Sequence, residues 1–138
     1  VASNKRNYFS SLNKLIKQKG LTDHLSFCGA RPDIADVYKI SDIVMNLSSK
    51  PEPFGRTIIE AAACGCHVMG WDRGGVKESI QSINPDGLVE YGNIRMLVKQ
   101  IDKVLASSPP ESIPEQFTKE CLVNATINVY ELALSKAS

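Results

Sequence analysis

Apolar residues are distributed along this chain in two different patterns. In some stretches apolar residues recur every three to four positions, as on one face of a helix, and between them lie short continuous apolar runs typical of buried strands. The helical pattern covers residues 8–16, 34–38, 57–64, 77–83, 94–105 and 117–134. The short apolar runs cover residues 25–28, 43–47, 68–71 and 88–91. Helices that alternate with strands predict an α/β fold, a parallel sheet with helices on both faces.

The strand predicted at residues 43–47 is apolar on both faces, which is typical of a parallel strand covered on two sides. In such sheets a ligand binds beyond the carboxyl ends of the strands. The loops that matter for function are therefore residues 29–33, 48–55 and 72–76. A doubly wound domain normally begins with a central strand, whereas this chain opens on a helix. We therefore expect the domain to lack its first strand.

Length, composition and charge exclude several classes of protein. The 138 residues suffice for one domain with its own core, and a hydrophobic share of 43% excludes a disordered chain. The formal net charge of +1 argues against duplex nucleic acid, which selects a basic face. Neither a membrane-spanning run nor a secretory signal is expected. With four scattered cysteines and two histidines, we expect free thiols, no metal site and a cytoplasmic protein.

Residues 51–65 carry the chemical information, because here a loop with two prolines leads into a helix. The first N–H groups of a helix and the positive end of its dipole suit a phosphate. Gly55 has no Cβ and lets a ligand approach the backbone closely. Glu60, about one turn into the helix, can accept hydrogen bonds from vicinal hydroxyls, and Glu52 can approach the same cavity from the loop. The pattern predicts a pocket for a phosphorylated and polyhydroxylated ligand.

Other interpretations of the two carboxylates stay open. An acid in a first helical turn stabilises the helix by about 0.3–1 kcal/mol through its dipole, without any ligand. A loop glutamate flanked by prolines, as Glu52 is, is commonly only solvated. A glycosidase-like pair of carboxylates is a further alternative, and the sequence does not give the separation which that mechanism requires.

Five ordered segments resemble the retaining glycosyltransferases of family 4, the group 1 glycosyltransferases. The stretch from Glu52 to Glu60 resembles the E-x7-E signature of that family. The other four segments are residues 26–29 (SFCG), 41–48 (SDIVMNLS), 68–70 (VMG) and 74–78 (GGVKE). Their order and spacing match the family from about Tyr8 to Leu105, which is most of the chain.

The resemblance implies the carboxyl-terminal half of a GT-B fold, in which a Rossmann-like domain binds a nucleotide-sugar donor. It implies a nucleotide-sugar-binding domain at residues 1–106, truncated at its N-terminus, a Pro/Ser-rich linker at 107–115 and a C-terminal crossing helix at 116–138. The acceptor belongs to an amino-terminal domain that is missing here. The fragment alone is therefore expected to be inactive.

Site residues follow from the resemblance by position. Glu52 is implied as the catalytic residue, in contact with the hydroxyls of the donor sugar, and Glu60 as the residue that holds the ribose. Whether Glu52 is a nucleophile or positions the sugar stays open, and we favour positioning. The other donor-binding residues implied are Phe54, Gly55, Arg56 and Thr57 at the helix start, Gly29, Ala30 and Arg31 bordering the base, and Gly74 and Gly75 on the far wall of the cleft or in loop packing.

The chain departs from the family pattern in two places. His67 stands where the family usually has proline, at the start of a strand, and we expect only a small loss of rigidity. The Arg and Lys that clamp the diphosphate in the family belong to a segment upstream of this chain. Arg56 or Arg73 can stand in for them in part, although neither is at the matching position.

The reaction that the resemblance implies moves a sugar from a nucleoside diphosphate to an acceptor hydroxyl with retention, in polysaccharide, lipopolysaccharide or glycolipid synthesis. No cofactor or metal is implied, and the nucleotide sugar is the donor substrate. The alternative is a non-catalytic Rossmann-like module that keeps the fold for protein contacts.

Lipid-linked acceptors are common in the family, which implies a peripheral place at the inner membrane face for the whole enzyme. The apolar last helix either packs on this domain or is available for self-association.

Overall fold

A computed structural model describes the backbone of residues 2–136 and the side chains of residues 7–136. The helices are α1 (Ala2–Gln18), α2 (Ile34–Lys39), α3 (Arg56–Ala63), α4 (Gly74–Ile83), α5 (Ile94–Leu105) and α6 (Lys119–Ser135). The strands are β1 (Ile43–Asn46), β2 (His67–Trp71) and β3 (Leu88–Val89), and short 3-10 turns lie at Pro85–Gly87 and Glu115–Phe117. The chain divides into two compact units, Val1–Pro32 and Asp33–Ser138.

The second unit is built on a parallel sheet with the strand order β1-β2-β3. Ile43 of β1 lies beside His67 of β2, and Gly70 of β2 lies beside Leu88 of β3. Every residue of β2 is buried, as expected of a central strand covered on both faces. The predicted α/β fold with a parallel sheet is therefore confirmed.

Two hydrophobic clusters cover the two faces of this sheet, because side chains of β2 alternate between them. One cluster joins Val68 to residues of α2, α3 and α4. The other joins Met69 and Trp71 to residues of α5. Helix α5 begins after Asn93, whose side chain accepts a hydrogen bond from the Met96 amide at 3.0 Å. This cap and the apolar face of α5 explain why its bounds match the sequence prediction.

The first unit corrects one prediction. Residues 25–28 form no strand, although they are an apolar run. A strand is stable only when a neighbour completes its hydrogen bonds, and none of the described strands pairs with this segment. Its side chains pack on α1 instead: the ring centroids of Phe9 and Phe27 lie 4.8 Å apart. Leu25 and Phe27 also line a cavity of about 310 Å³ beside Leu12 and other apolar residues of α1.

Three helices of the second unit begin elsewhere than predicted, and α3, which begins at Arg56, differs by only one residue. Helix α4 begins at Gly74, three residues before the predicted start, and so includes both glycines of the GGVKE segment. Helix α6 begins at Lys119 because the side chain of Thr118 caps it, accepting a hydrogen bond from the Cys121 amide at 3.3 Å. None of the residues of α6 is buried.

All four cysteines are free thiols. Cys66 is the buried one, and its Sγ donates a hydrogen bond to the Ser41 carbonyl at 3.2 Å. Burial raises the pKa of the Cys66 thiol, which stays protonated at neutral pH. Cys28 is exposed, so the apolar run that contains it does not place it in a core.

Candidate functional site

The loop that leads from β1 into α3 lies at the carboxyl end of the sheet. Gly55 caps α3 in the left-handed conformation, with φ 72° and ψ 38°, which glycine adopts without strain. A Cβ at this position would lie 3.1 Å from the backbone of Val76. Gly55 therefore meets two needs at once, the sharp entry into α3 and close packing on α4. The first N–H groups of α3 point out of the helix at this end.

Gly74 and Gly75 hold the loop that carries Glu52. The Gly75 amide donates a hydrogen bond to the Glu52 carbonyl at 2.8 Å. A Cβ on Gly75 would lie 2.5 Å from the Cα of Phe54, and one on Gly74 would lie 2.7 Å from the carbonyl oxygen of Glu52. Both glycines thus pack against the loop backbone, one of the two arrangements expected for them. Their contact with a ligand stays a prediction.

Phe54 has contacts that tie the same loop to two further elements. Its carbonyl accepts a hydrogen bond from the Ser79 hydroxyl of α4 at 3.1 Å. Its ring meets that of Phe117 edge to face, with 6.5 Å between centroids. The loop backbone is therefore held from α4, while the Phe54 ring borders the segment before α6.

The Glu60 carboxylate receives one contact on each oxygen. The Tyr38 hydroxyl donates to Oε2 at 3.4 Å, and the Arg56 guanidinium donates to Oε1 at 3.2 Å. Burial raises the pKa of Tyr38, and the charge of Glu60 and the hydrogen bond to it act in the same direction. The Tyr38 hydroxyl therefore stays protonated and remains a donor at neutral pH.

A small cavity of about 10 Å³ lies where β1 and β2 end. It is lined by Asn46, Ser48, Lys50, Pro51, Glu52, Trp71, Arg73 and Val76. The Arg73 guanidinium donates to the Ser49 carbonyl at 3.0 Å and lies 4.1 Å from the centroid of the Tyr91 ring. Two cationic side chains, Lys50 and Arg73, therefore border the same cavity as Glu52. Lys50 was not predicted as a site residue, because nothing in its local pattern separates it from an ordinary loop lysine.

The predicted site residues fall into both units. Gly29, Ala30 and Arg31 belong to the first unit, where they are exposed. The rest belong to the second unit, at the start of α3, in the loop before it or at the start of α4: Glu52, Phe54, Gly55, Arg56, Thr57, Glu60, Gly74 and Gly75. The second unit thus brings eight of the predicted residues to one end of the sheet. It also adds Tyr38, which sequence reasoning missed because its partner Glu60 is 22 positions away.

The described part of the chain, residues 2–136 for the backbone and 7–136 for the side chains, contains neither a metal-binding cluster nor a membrane-spanning helix. No group of three or more His, Cys, Asp and Glu residues there could hold a metal ion. No helix there has both the length and the apolar character to cross a membrane.

The chain matches the family model described as glycosyl transferases group 1 over residues 5–120. It is 30% identical over 131 residues to N-acetyl-alpha-D-glucosaminyl L-malate synthase of Bacillus anthracis, covering 88% of this chain and 34% of that protein. It is 38% identical over 96 residues to mannosylfructose-phosphate synthase of Agrobacterium fabrum, covering 68% of this chain and 19% of that protein. The chain therefore belongs to the group 1 glycosyltransferase family.

Solved structures agree with this assignment. The crystal structure of Anabaena HepE in complex with UDP and glucose superposes with a TM-score of 0.68 at 32% identity, covering 75% of this chain and 28% of that one. A glycosyltransferase from Rickettsia africae superposes with a TM-score of 0.66 at 33% identity, covering 75% of this chain and 27% of that one. The predicted likeness to the C-terminal half of GT-B enzymes is confirmed. The chain spans about a third or less of the length of these relatives.

Proposed function

We propose that this chain is the donor-binding part of an enzyme that moves a sugar from a nucleoside-diphosphate sugar to an acceptor hydroxyl with retention. The observation that carries the proposal is the start of α3. There a helix N-terminus, begun by Gly55, follows a loop carboxylate, Glu52, and precedes a helix carboxylate, Glu60, along the chain. HepE, a structural neighbour, was solved with UDP-glucose. A uridine diphosphate sugar is therefore the first donor to test.

Each part of the site has a proposed role. Glu60 accepts hydrogen bonds from the ribose hydroxyls, and Glu52 contacts the hydroxyls of the donor sugar and positions it. The backbone amides of Phe54, Gly55 and Arg56, with Thr57 beside them, meet the sugar and the diphosphate. Residues 29–31 border the base.

The chemistry depends on charge that develops on the leaving diphosphate. The N–H groups at the start of α3 and the positive end of its dipole stabilise that charge as the glycosidic bond breaks. Lys50 and Arg73, which border the cavity beside Glu52, add positive charge at the carboxyl end of the sheet. The N–H groups of α3 and the Arg73 guanidinium, which donates to the Ser49 carbonyl, are held before the reaction begins, so little reorganisation of these groups is needed in the transition state.

The remaining proposals concern the whole protein. Residues 1–106 form the donor domain, 107–115 the linker and 116–138 the segment that contains α6, which crosses to an acceptor domain outside this chain. The enzyme acts in the cytoplasm, peripheral at the inner membrane face, in the synthesis of a polysaccharide, lipopolysaccharide or glycolipid, and the 138 residues alone are inactive. The relatives are about three times longer, which supports a further domain.

Helix α6 supports a second proposal, a contact with another polypeptide. Its apolar residues are exposed, and Phe117, Leu122, Val123 and Ile127 line a groove of about 460 Å³. A surface of this kind on a helix is usually covered. The acceptor domain and a second copy of the chain are the two candidates, and sedimentation of the isolated chain at high concentration separates them, because only self-association gives a dimer.

The test uses the full-length protein with UDP-glucose, GDP-mannose and ADP-glucose. Glu60→Ala is expected to weaken donor binding about 10- to 100-fold in calorimetry, since hydrogen bonds to a charged group are lost. Glu52→Ala is expected to lower kcat about 100-fold, because the sugar is no longer held in place. Glu111→Ala, an exposed glutamate in the segment before α6, is the matched control and should change neither quantity.

Two results would contradict the proposal. Unchanged kinetics in both the Glu52 and the Glu60 variants would mean that the carboxylates have no part in transfer. No binding of any nucleotide sugar would favour the alternative, a non-catalytic module that uses the same fold for protein contacts. Retention is tested separately, by the anomeric configuration of the product in NMR.

A further inference from the structure

The carboxylate of Glu60 is held from two sides by groups of very different mobility. Tyr38, which donates to Oε2, is 6% exposed and belongs to the hydrophobic cluster that includes Ile58 and Ala61 of α3. Arg56, which donates to Oε1, has a side chain that is 80% exposed. The Tyr38 ring cannot move without disturbing the core, whereas the Arg56 side chain can turn into solvent.

Because of this difference, the Glu60 carboxylate can still accept hydrogen bonds from a ligand. A carboxylate has about four lone-pair sites on its two oxygens. The Tyr38 hydroxyl donates to one of them from the core, and Arg56 takes another in a surface ion pair, which contributes little energy and is easily replaced. Sites on both oxygens then remain for two neighbouring hydroxyl donors. The side chain of Glu60 is 42% exposed, so a ligand can reach it.

Tyr38 also limits the rotation of the carboxylate. A glutamate side chain loses considerable rotamer freedom when it is fixed, and a ligand that must fix it binds more weakly by that cost. A buried hydroxyl on Oε2 removes part of this cost before the ligand arrives. The hydroxyl is suited to this task because it remains a hydrogen-bond donor across the neutral range.

We propose that Tyr38 is a positioning residue that orients the Glu60 carboxylate toward the vicinal hydroxyls of the nucleotide ribose. The inference rests on the proposed function, since it takes the ribose as the ligand of Glu60. A role in packing alone is the competing explanation. Tyr38→Phe separates the two, because it keeps the ring in the core and removes only the hydroxyl.

The experiment compares ribonucleotides with their 2′,3′-dideoxy forms in the full-length protein. Affinities for UDP, GDP and ADP and for the three dideoxy forms are measured by calorimetry, and the ribonucleotide that the wild type binds most tightly is used. Tyr38→Phe is expected to weaken binding of that ribonucleotide about three- to tenfold and to leave the dideoxy form unchanged. Tyr8→Phe, which removes the hydroxyl of an exposed tyrosine on α1, is the matched control and should leave both affinities unchanged.

A double variant tests whether the effect of Tyr38→Phe acts through Glu60 and is not a general loss of folding. In a Glu60→Gln background, Tyr38→Phe should have a smaller effect on ribonucleotide affinity than in the wild type, because the two residues act on the same contact. Thermal unfolding of each variant shows whether the fold is kept. Should Tyr38→Phe lower the stability, both affinities are measured at a temperature below its unfolding transition, where the ring still packs in the core and only the hydroxyl is absent.

Each result has a distinct meaning. If the wild type binds ribonucleotide and dideoxynucleotide equally well, the ribose role of Glu60 fails, and with it both proposals. If the wild type discriminates and Tyr38→Phe discriminates equally well, the proposed function stands and the role of Tyr38 is overturned. A variant that loses affinity for both nucleotides to the same extent also overturns it, because that loss is structural.

Discussion

Helices α3 and α6 are both rich in apolar residues, yet they lie in opposite environments. Helix α3, Arg56–Ala63, buries four of its eight residues, Ile58, Ile59, Ala61 and Ala62. Helix α6, Lys119–Ser135, is twice as long and buries none. Apolar composition therefore does not say whether a helix contributes to the core of this chain. What decides it is whether a sheet or another helix lies against it.

The distribution of apolar residues in the two helices explains the contrast. In α3 they form one face, and two alanines in it allow close approach to the sheet. In α6 the exposed apolar residues go around much of the helix: Leu122, Val123, Ile127, Val129, Tyr130, Leu132 and Leu134. A helix with apolar residues on most sides usually needs a partner on more than one side. The second unit supplies that partner for α3 and not for α6.

The largest expected effect comes from making the same substitution in both helices. Ile58→Ala in α3 should lower the free energy of unfolding of the 138-residue chain by about 2–5 kcal/mol, because Ile58 is fully buried. Ile127→Ala in α6 should cost less than about 0.5 kcal/mol, because Ile127 is 47% exposed. Urea unfolding followed by the fluorescence of Trp71, the single tryptophan, measures both.

The pair of variants can fail in an informative way. Equal costs in the isolated chain would contradict the exposure of α6. If Ile127→Ala lowers the free energy of unfolding of the full-length protein by more than about 1 kcal/mol, the result would support the proposed contact of α6 with another polypeptide. The comparison is clean because both residues change from isoleucine to alanine within a helix.

Gly75→Ala should have the next largest effect, and it acts on the loop before α3. Alanine is normally favoured over glycine inside a helix by about 1 kcal/mol. Here the new Cβ would lie 2.5 Å from the Cα of Phe54, so the loop must move. We expect a net loss of about 1–3 kcal/mol in the free energy of unfolding, measured by urea unfolding.

A second glycine gives the control for this prediction. Unlike Gly75, Gly65 has a positive φ of 77°, and a Cβ there would meet no atom within 4 Å. Gly65→Ala therefore measures backbone strain without a contact. In the full-length protein, Gly75→Ala should weaken donor binding and Gly65→Ala should not, because only Gly75 touches the loop that carries Glu52. Equal binding in both variants would refute the idea that Gly75 holds the site.

The sequence predicted whatever depends on local pattern. The apolar face of α5 predicted the bounds of that helix, and three of the four short apolar runs form the strands of the parallel sheet. Features that depend on distant partners were missed. Residues 25–28 have the composition of a strand but no described strand pairs with them, and Tyr38 gains its importance from a residue on another helix. The family signature predicted Glu52 and Glu60 as site residues. The packing of Gly75 on Phe54 was not predicted, because the two residues are distant in the sequence and meet only in the fold.

The smallest expected effect lies on the exposed face of α3. Arg56→Ala removes the ion pair with Glu60, which as a surface pair four residues apart stabilises a helix by only about 0.3–0.5 kcal/mol. A cation in the first turn also opposes the helix dipole, so part of this loss is recovered. The free energy of unfolding should thus fall by less than about 0.5 kcal/mol, with Lys39→Ala, which removes the exposed pair with Asp36, as the control. A loss above about 1 kcal/mol would show that the exposed face of α3, and not only its buried face, holds the helix in place.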